Sequence, residues 1–147
     1  MQSNKLRIVC LVFLLAVPGL CFSQNSPAAG TGPVTSSPAY SEVLLRKTDL
    51  LADLESFLAD YTDANPKILD LRFEIGVLDR SMARILAVKP AEAGKLTLAL
   101  GKLLVRHASL ETDLARLSRT FSKDHTEVMR AKKRVEIFDN AIKEILR

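Results

Sequence analysis

Two histidines are the first residues to weigh as chemistry. His107 precedes Glu111 by four positions in "RHASLETD". That spacing puts an imidazole and a carboxylate on one helix face, where they could share a proton or supply two ligands to a metal ion. No third ligand type stands at a matching spacing, and the pair is a common one. The favoured reading is a polar residue in a helix seam that helps to set register. His125 has Asp124 beside it, but adjacent residues do not face each other on a helix. No serine carries a recognisable motif, and Gly76, Gly94 and Gly101 stand singly rather than in a phosphate-binding loop. Gly94 would loosen a turn, and the other two would permit close helix approach. The chain is expected to be no enzyme, with no catalytic residue, cofactor or metal.

The densest basic cluster is Arg130, Lys132, Lys133 and Arg134. Such a patch could meet anionic headgroups or an acidic glycan. The favoured alternative is a solvated helix face that pairs with Glu42 and Asp49, so contact with a membrane surface is not the preferred expectation. The 147 residues carry a formal charge of +4. Without Lys5 and Arg7, the 21 basic side chains become 19 against 17 acidic ones. That balance gives no case for a nucleic-acid partner. The distribution is uneven: residues 24–88 hold 6 basic and 9 acidic side chains, and residues 89–147 hold 13 and 8. An acidic half followed by a basic half suits two halves that lie against each other.

Lys5 and Arg7 precede a short apolar run, "IVCLVFLLAVPGL", and Cys21 and Ser23 occupy small-residue positions before Gln24. This is the layout of a cleavable secretory signal peptide over residues 1–23, and it implies a periplasmic or secreted protein. The run is shorter than the roughly 20 residues a membrane span needs. Both cysteines, Cys10 and Cys21, fall inside this segment. The exported chain would have no disulfide, so packing and association must hold it together. Residues 24–39, which include "QNSPAAGTGPVTSSP", have no apolar periodicity and read as a flexible linker.

From Tyr40 onward the pattern is helical, and the fold class is all-α. Apolar residues step by three and four, with Lys47 and Ala64 filling two gaps, through Val43, Leu50, Leu54, Phe57, Tyr61, Ile68, Leu71, Ile75, Leu78 and Met82. A second series runs through Leu103, Leu110, Leu114, Leu117, Phe121, Val128, Val135, Phe138 and Ile142. Lys47 and His107 sit in register at gaps in the two series. Both series follow the a/d pattern of a coiled-coil seam. Val88-Lys89-Pro90 marks a turn near residues 87–91 between arms of about 40–87 and 91–146. Asn65-Pro66 interrupts the first arm. A proline inside a helix costs about 3 kcal/mol. The chain either kinks there or stops and restarts with Asn65 as N-cap. Because the register runs through without a slip, the favoured architecture is a long antiparallel hairpin kinked at Asn65-Pro66. The alternative is four shorter helices in two hairpins. Rows beside the seam (Leu44, Leu51 and Leu58; Leu69, Phe73 and Val77) make the apolar stripe wider than two helices can cover. Self-association, or docking on a helical envelope partner, would cover it.

The arms align at an offset of 60, with Leu44/Leu104, Arg46/Arg106, Leu50/Leu110, Asp53/Asp113, Leu54/Leu114 and Asp79/Asp139 identical. Heptad patterning alone produces many apolar matches, so sequence leaves true duplication open. Tyr61, Pro66, Ile68, Leu71 and Ile75 resemble a motif in the periplasmic helices of polysaccharide chain-length determinant (co-polymerase) proteins, with Asn65 in place of that family's histidine. The second copy keeps Phe121, His125 and Val128, with Thr126 in place of proline. The family's second membrane helix and α/β base have no counterpart here. The resemblance implies a periplasmic coiled coil, accessory to polysaccharide export rather than length-determining. In size, export signal, basic pI and lack of cysteine, the chain is also similar to small periplasmic holdase chaperones, although it has no segment for their β-rich body. The expected protein is therefore an exported coiled-coil interaction protein, with a holdase as the alternative.

Overall fold

The computed structural model describes residues 32–147, and all regular structure among them is helical. The expected signal peptide and the linker up to residue 31 lie outside the described residues. A single turn, α1 (Gly32–Thr35), precedes α2 (Pro38–Asp60) and α3 (Pro66–Leu86). A 3-10 helix at Pro90–Lys95 leads to α4 (Leu98–Thr120) and α5 (Thr126–Leu146).

The all-α class holds, but the long kinked arm does not. α2 ends at Asp60, and Tyr61 takes an extended backbone with φ −129° and ψ 154°. Asn65 N–H then donates to the Thr62 carbonyl (2.9 Å) and closes a turn. Asn65 is itself extended, and its side chain accepts from Lys67 N–H (2.8 Å). Pro66 follows as the first helical residue, where its missing N–H leaves no helical bond unmade. The chain thus reverses, and α3 packs back on α2. The unbroken heptad register misled the sequence reading, because a five-residue turn happens to preserve it. Folding back is favoured because it buries the wide stripe that a two-helix arm would leave in water.

The second arm breaks in the same way without a proline. Phe121 is extended (φ −121°, ψ 154°), His125 N–H donates to the Ser122 carbonyl (3.1 Å), and His125 Nδ1 accepts from Glu127 N–H (3.3 Å). α2 and α4 each have 23 residues and α3 and α5 each have 21, all displaced by 60. The N-caps Ser37 and Thr97 follow the same offset, and each accepts from the N–H three residues on at 3.3 Å. The fold is a tandem repeat of one helical hairpin. The agreement extends to polar caps, which heptad patterning does not dictate.

Arg46 meets Glu74 (2.8 Å) and Lys47 meets Asp79 (2.5 Å) across the first hairpin. α4 runs parallel to α2: Ala39 N–H donates to the Leu96 carbonyl (3.2 Å), and Gly101 lies against Ala39 and Glu42. α4 runs antiparallel to α3, with Asp70 bonded to Arg119 and Arg80 to Glu111 (3.2 Å). α5 rests mainly on α4. The core lies between α2, α3 and α4 and includes Val43, Leu50, Leu71, Leu78, Ile85, Leu100 and Leu104. Each such side chain contributes about 1.5–3 kcal/mol by leaving water.

Two boundaries move. Residues 32–39 of the expected linker are structured, because Val34 and Ala39 are buried in the core and Ser37 Oγ donates to the Val34 carbonyl (2.6 Å). The turn expected at 87–91 extends to Thr97, since Lys89 and Pro90 open a 3-10 helix instead of α4.

Candidate functional site

The residues of the expected seam fall into three groups. Val43, Leu50, Ile68, Leu71, Leu78, Leu110, Val128 and Ile142 are buried. Leu54, Phe57, Ile75, Met82, Leu103, Leu114, Leu117, Val135 and Phe138 are half-buried. Tyr61 and Phe121 are exposed because they cap the first helix of each hairpin rather than pack within it. Their rings stay local: Tyr61 lies 5.7 Å from Phe57, and Phe121 stacks on His125 at 4.2 Å. Asn65 and Pro66 form a cap, not a kink. Sequence reasoning left Leu104 and Ala108 out of the seam, yet both are fully buried. They face the first hairpin, and only the parallel packing of α4 on α2 identifies that face.

His107 is buried, and its Nε2 lies 3.6 Å from Glu111 Oε1. Glu111 is bonded to Arg80. The Asp139 carboxyl is held below the ordinary carboxylate range, first by its bond with Lys143 (2.6 Å), with the charges of Lys143, Arg84 and His107 adding to this against partial burial. At the offset of 60, Lys47 meets Asp79 in the first hairpin, whereas Asp139 of the second is held by Lys143 and Arg84. Among the described residues, no three histidine, aspartate or glutamate side chains converge as a metal would require.

The basic cluster does not meet Glu42 and Asp49. Arg130 bonds Glu127 (2.9 Å) and Lys133 bonds Glu136 (3.0 Å), both on α5 itself. The reason is topological: α5 packs on the flank of α4 and is not an extended arm lying along α2. Among the described residues, Lys132 and Arg134 have no ionic partner, and neither do Glu42, Asp49, Asp53, Glu55 and Asp60 of α2.

What remains open is apolar surface at the two ends of the stack. α2 exposes Leu44, Leu45 and Leu51, and α5 exposes Met129 and Ile137. Leu69 and Phe73 are exposed on α3. Among the described residues, no helix is long and apolar enough to cross a membrane. Comparison of the chain with known protein families, with characterised proteins and with solved structures finds no match.

Proposed function

We propose that this is an exported helical interaction protein of the bacterial envelope that acts by docking through its open apolar faces. The observation that carries the reading is the exposure of Leu44, Leu45 and Leu51 on α2 together with Met129 and Ile137 on α5. Large apolar side chains grouped on one helix mark association surfaces more often than singly scattered ones do. The resemblance of the two interhelical turns to the co-polymerase motif points to polysaccharide export as the setting. The N-terminal segment supports export.

The test is site-specific photo-crosslinking in intact cells, from probes at Leu45 and Met129. Crosslinks to a defined protein that disappear with Leu44→Asp or Ile137→Asp would support the reading. Probes that react only with water would overturn it, as would a chain recovered wholly in the cytosol. A holdase is the second reading. It is favoured by Met129, a flexible and adaptable apolar side chain that is more than half exposed. It requires the purified chain to suppress aggregation of an unfolded client, with the same two substitutions lowering that activity.

A further inference from the structure

The first hairpin displays how this chain receives another helix. α4 lies against α2 and α3, with Leu104 and Ala108 turned to the core and Arg119 on Asp70. Val77 stands seven residues from both Asp70 and Arg84 on the same stripe of α3, and it is 2 % exposed. Displaced by 60, a corresponding groove recurs between α4 and α5, lined by Leu110, Leu117 and Ala131 with Arg130 and Arg134. Among the described residues, no helix fills it. Ile137, the counterpart of Val77, is 56 % exposed. At the other end of the stack, Leu44 is the counterpart of Leu104. Leu104 is 0 % exposed and Leu44 is 41 % exposed.

Charge matches the two ends. Arg46 shares a shallow pocket with Ser109 of α4. The counterparts of that pair are Arg106 and Asp49, and neither has an ionic partner among the described residues. Arg134 stands where the first hairpin has Glu74. The last ten residues of α2 carry Asp53, Glu55 and Asp60 and no basic side chain. The groove also carries Arg116, Asp113 and Glu127, with Arg116 paired to Asp113 and Arg130 to Glu127, so the unpaired charge it offers the acidic end of α2 is Arg134.

We propose that a second copy of this chain docks head to tail, with its α2 set in the α4–α5 groove in the orientation that α4 has on the first hairpin, at the wider separation that Ser41 in place of Gly101 requires. This rests on the reading above that the open apolar faces serve association. The contact is heterologous, so each copy keeps one free donor face and one free acceptor groove, and the stack extends. Arg106 of one copy faces Asp49 of the next, and Ile137 covers the face that carries Leu44.

The test is sedimentation and light scattering of the full-length chain across a concentration series. The average mass should climb past the dimer without a plateau there. Leu44→Asp disables the donor face and Ile137→Asp the acceptor groove. Each alone should raise the dissociation constant by about tenfold or more. An equimolar mixture of the two should form a dimer that grows no further, because it has one intact interface. Circular dichroism checks that both keep their helix content. Asp49→Arg and Arg106→Asp form a second pair: each alone should weaken the stack, and the double variant should recover it. A monomer at every concentration would overturn the proposal, as would a two-fold dimer insensitive to both substitutions or a mixture that forms no heterodimer. A monomeric chain whose cellular crosslinks still depend on Leu44 or Ile137 would overturn stacking alone. Loss of both kinds of association would overturn the interaction reading as well.

Discussion

Two glycines on neighbouring helices should respond oppositely to the same substitution. A Cβ on Gly101 would stand 2.8 Å from Glu42 Cβ and 3.0 and 3.1 Å from the backbone of Ala39. A Cβ on Gly76 would meet only the end of the Arg80 side chain, at 4.0 Å. Replacing glycine with alanine inside a helix stabilises by about 0.5–1 kcal/mol. That gain is common to both sites and cancels in the difference. The remaining term is steric. Helices α2 and α4 must separate to admit the new methyl, and overpacking of this kind costs about 1–3 kcal/mol. Gly76→Ala should therefore be stabilising by about 0.5–1 kcal/mol. Gly101→Ala should be destabilising by about 1 kcal/mol, because the steric term exceeds the helical gain. Urea titration followed by circular dichroism measures both, and the midpoints should bracket the parent. Equal midpoints for the two variants, or a more stable Gly101→Ala, would refute the parallel close approach of α2 and α4.

The turns and the charges give further expectations. Thr126→Pro places proline at the first position of α5, after a residue already extended at φ −65° and ψ 136°. It should be neutral or stabilising by up to about 1 kcal/mol, whereas in a continuous second arm it would cost about 3 kcal/mol; a thermal melt decides between them. Asn65→Ala removes the cap on Lys67 N–H and should cost about 1 kcal/mol, and Asn65→Asp should restore most of it, read as urea midpoints. Asp139 has a lowered pKa, so its stabilisation is present above its unfolded pKa of about 3.9 and fades as pH falls through the folded value. Asp139→Asn should therefore be less stable than the parent at pH 7, and the two melting curves should draw together only as pH falls below the unfolded pKa.

The helical class and most buried positions were legible because period 3.5 and period 3.6 both place Val43, Leu50, Leu71 and Leu78 on a common face. The turns were harder to read. Asn65-Pro66 is compatible with a cap and with a kink, and the deciding quantity is the breadth of apolar surface left over, which includes Leu44 and Val77. Thr126 gave no breaker signal at all. There the turn comes from Ser122 and His125, whose backbone and ring accept what a helix would otherwise bond. The charge asymmetry was visible, but its destination was not. An extended hairpin sets the basic residues of the second arm along the first, whereas a stacked pair of hairpins sets them at the far end. Of the two glycines expected to permit close approach, only Gly101 does so, because among the described residues a Cβ on Gly76 would meet nothing nearer than its own helix's Arg80.

The helices are unequally held. α4 touches α2, α3 and α5, whereas α5 leans mainly on α4 and has only Val128 and Ile142 fully buried. Local opening in such an arrangement is hierarchical. In hydrogen exchange, the amides of α5 should form the first unit to open, ahead of α2 and α3, and α4 should exchange last, because freeing it requires its neighbours to move. When α5 lifts, three helices keep most of the core, since among the described residues α5 gives it one buried side chain, Ile142, with Ile145 and Leu146 packed against it. The last helix is a leaf that can open on a frame that stays closed.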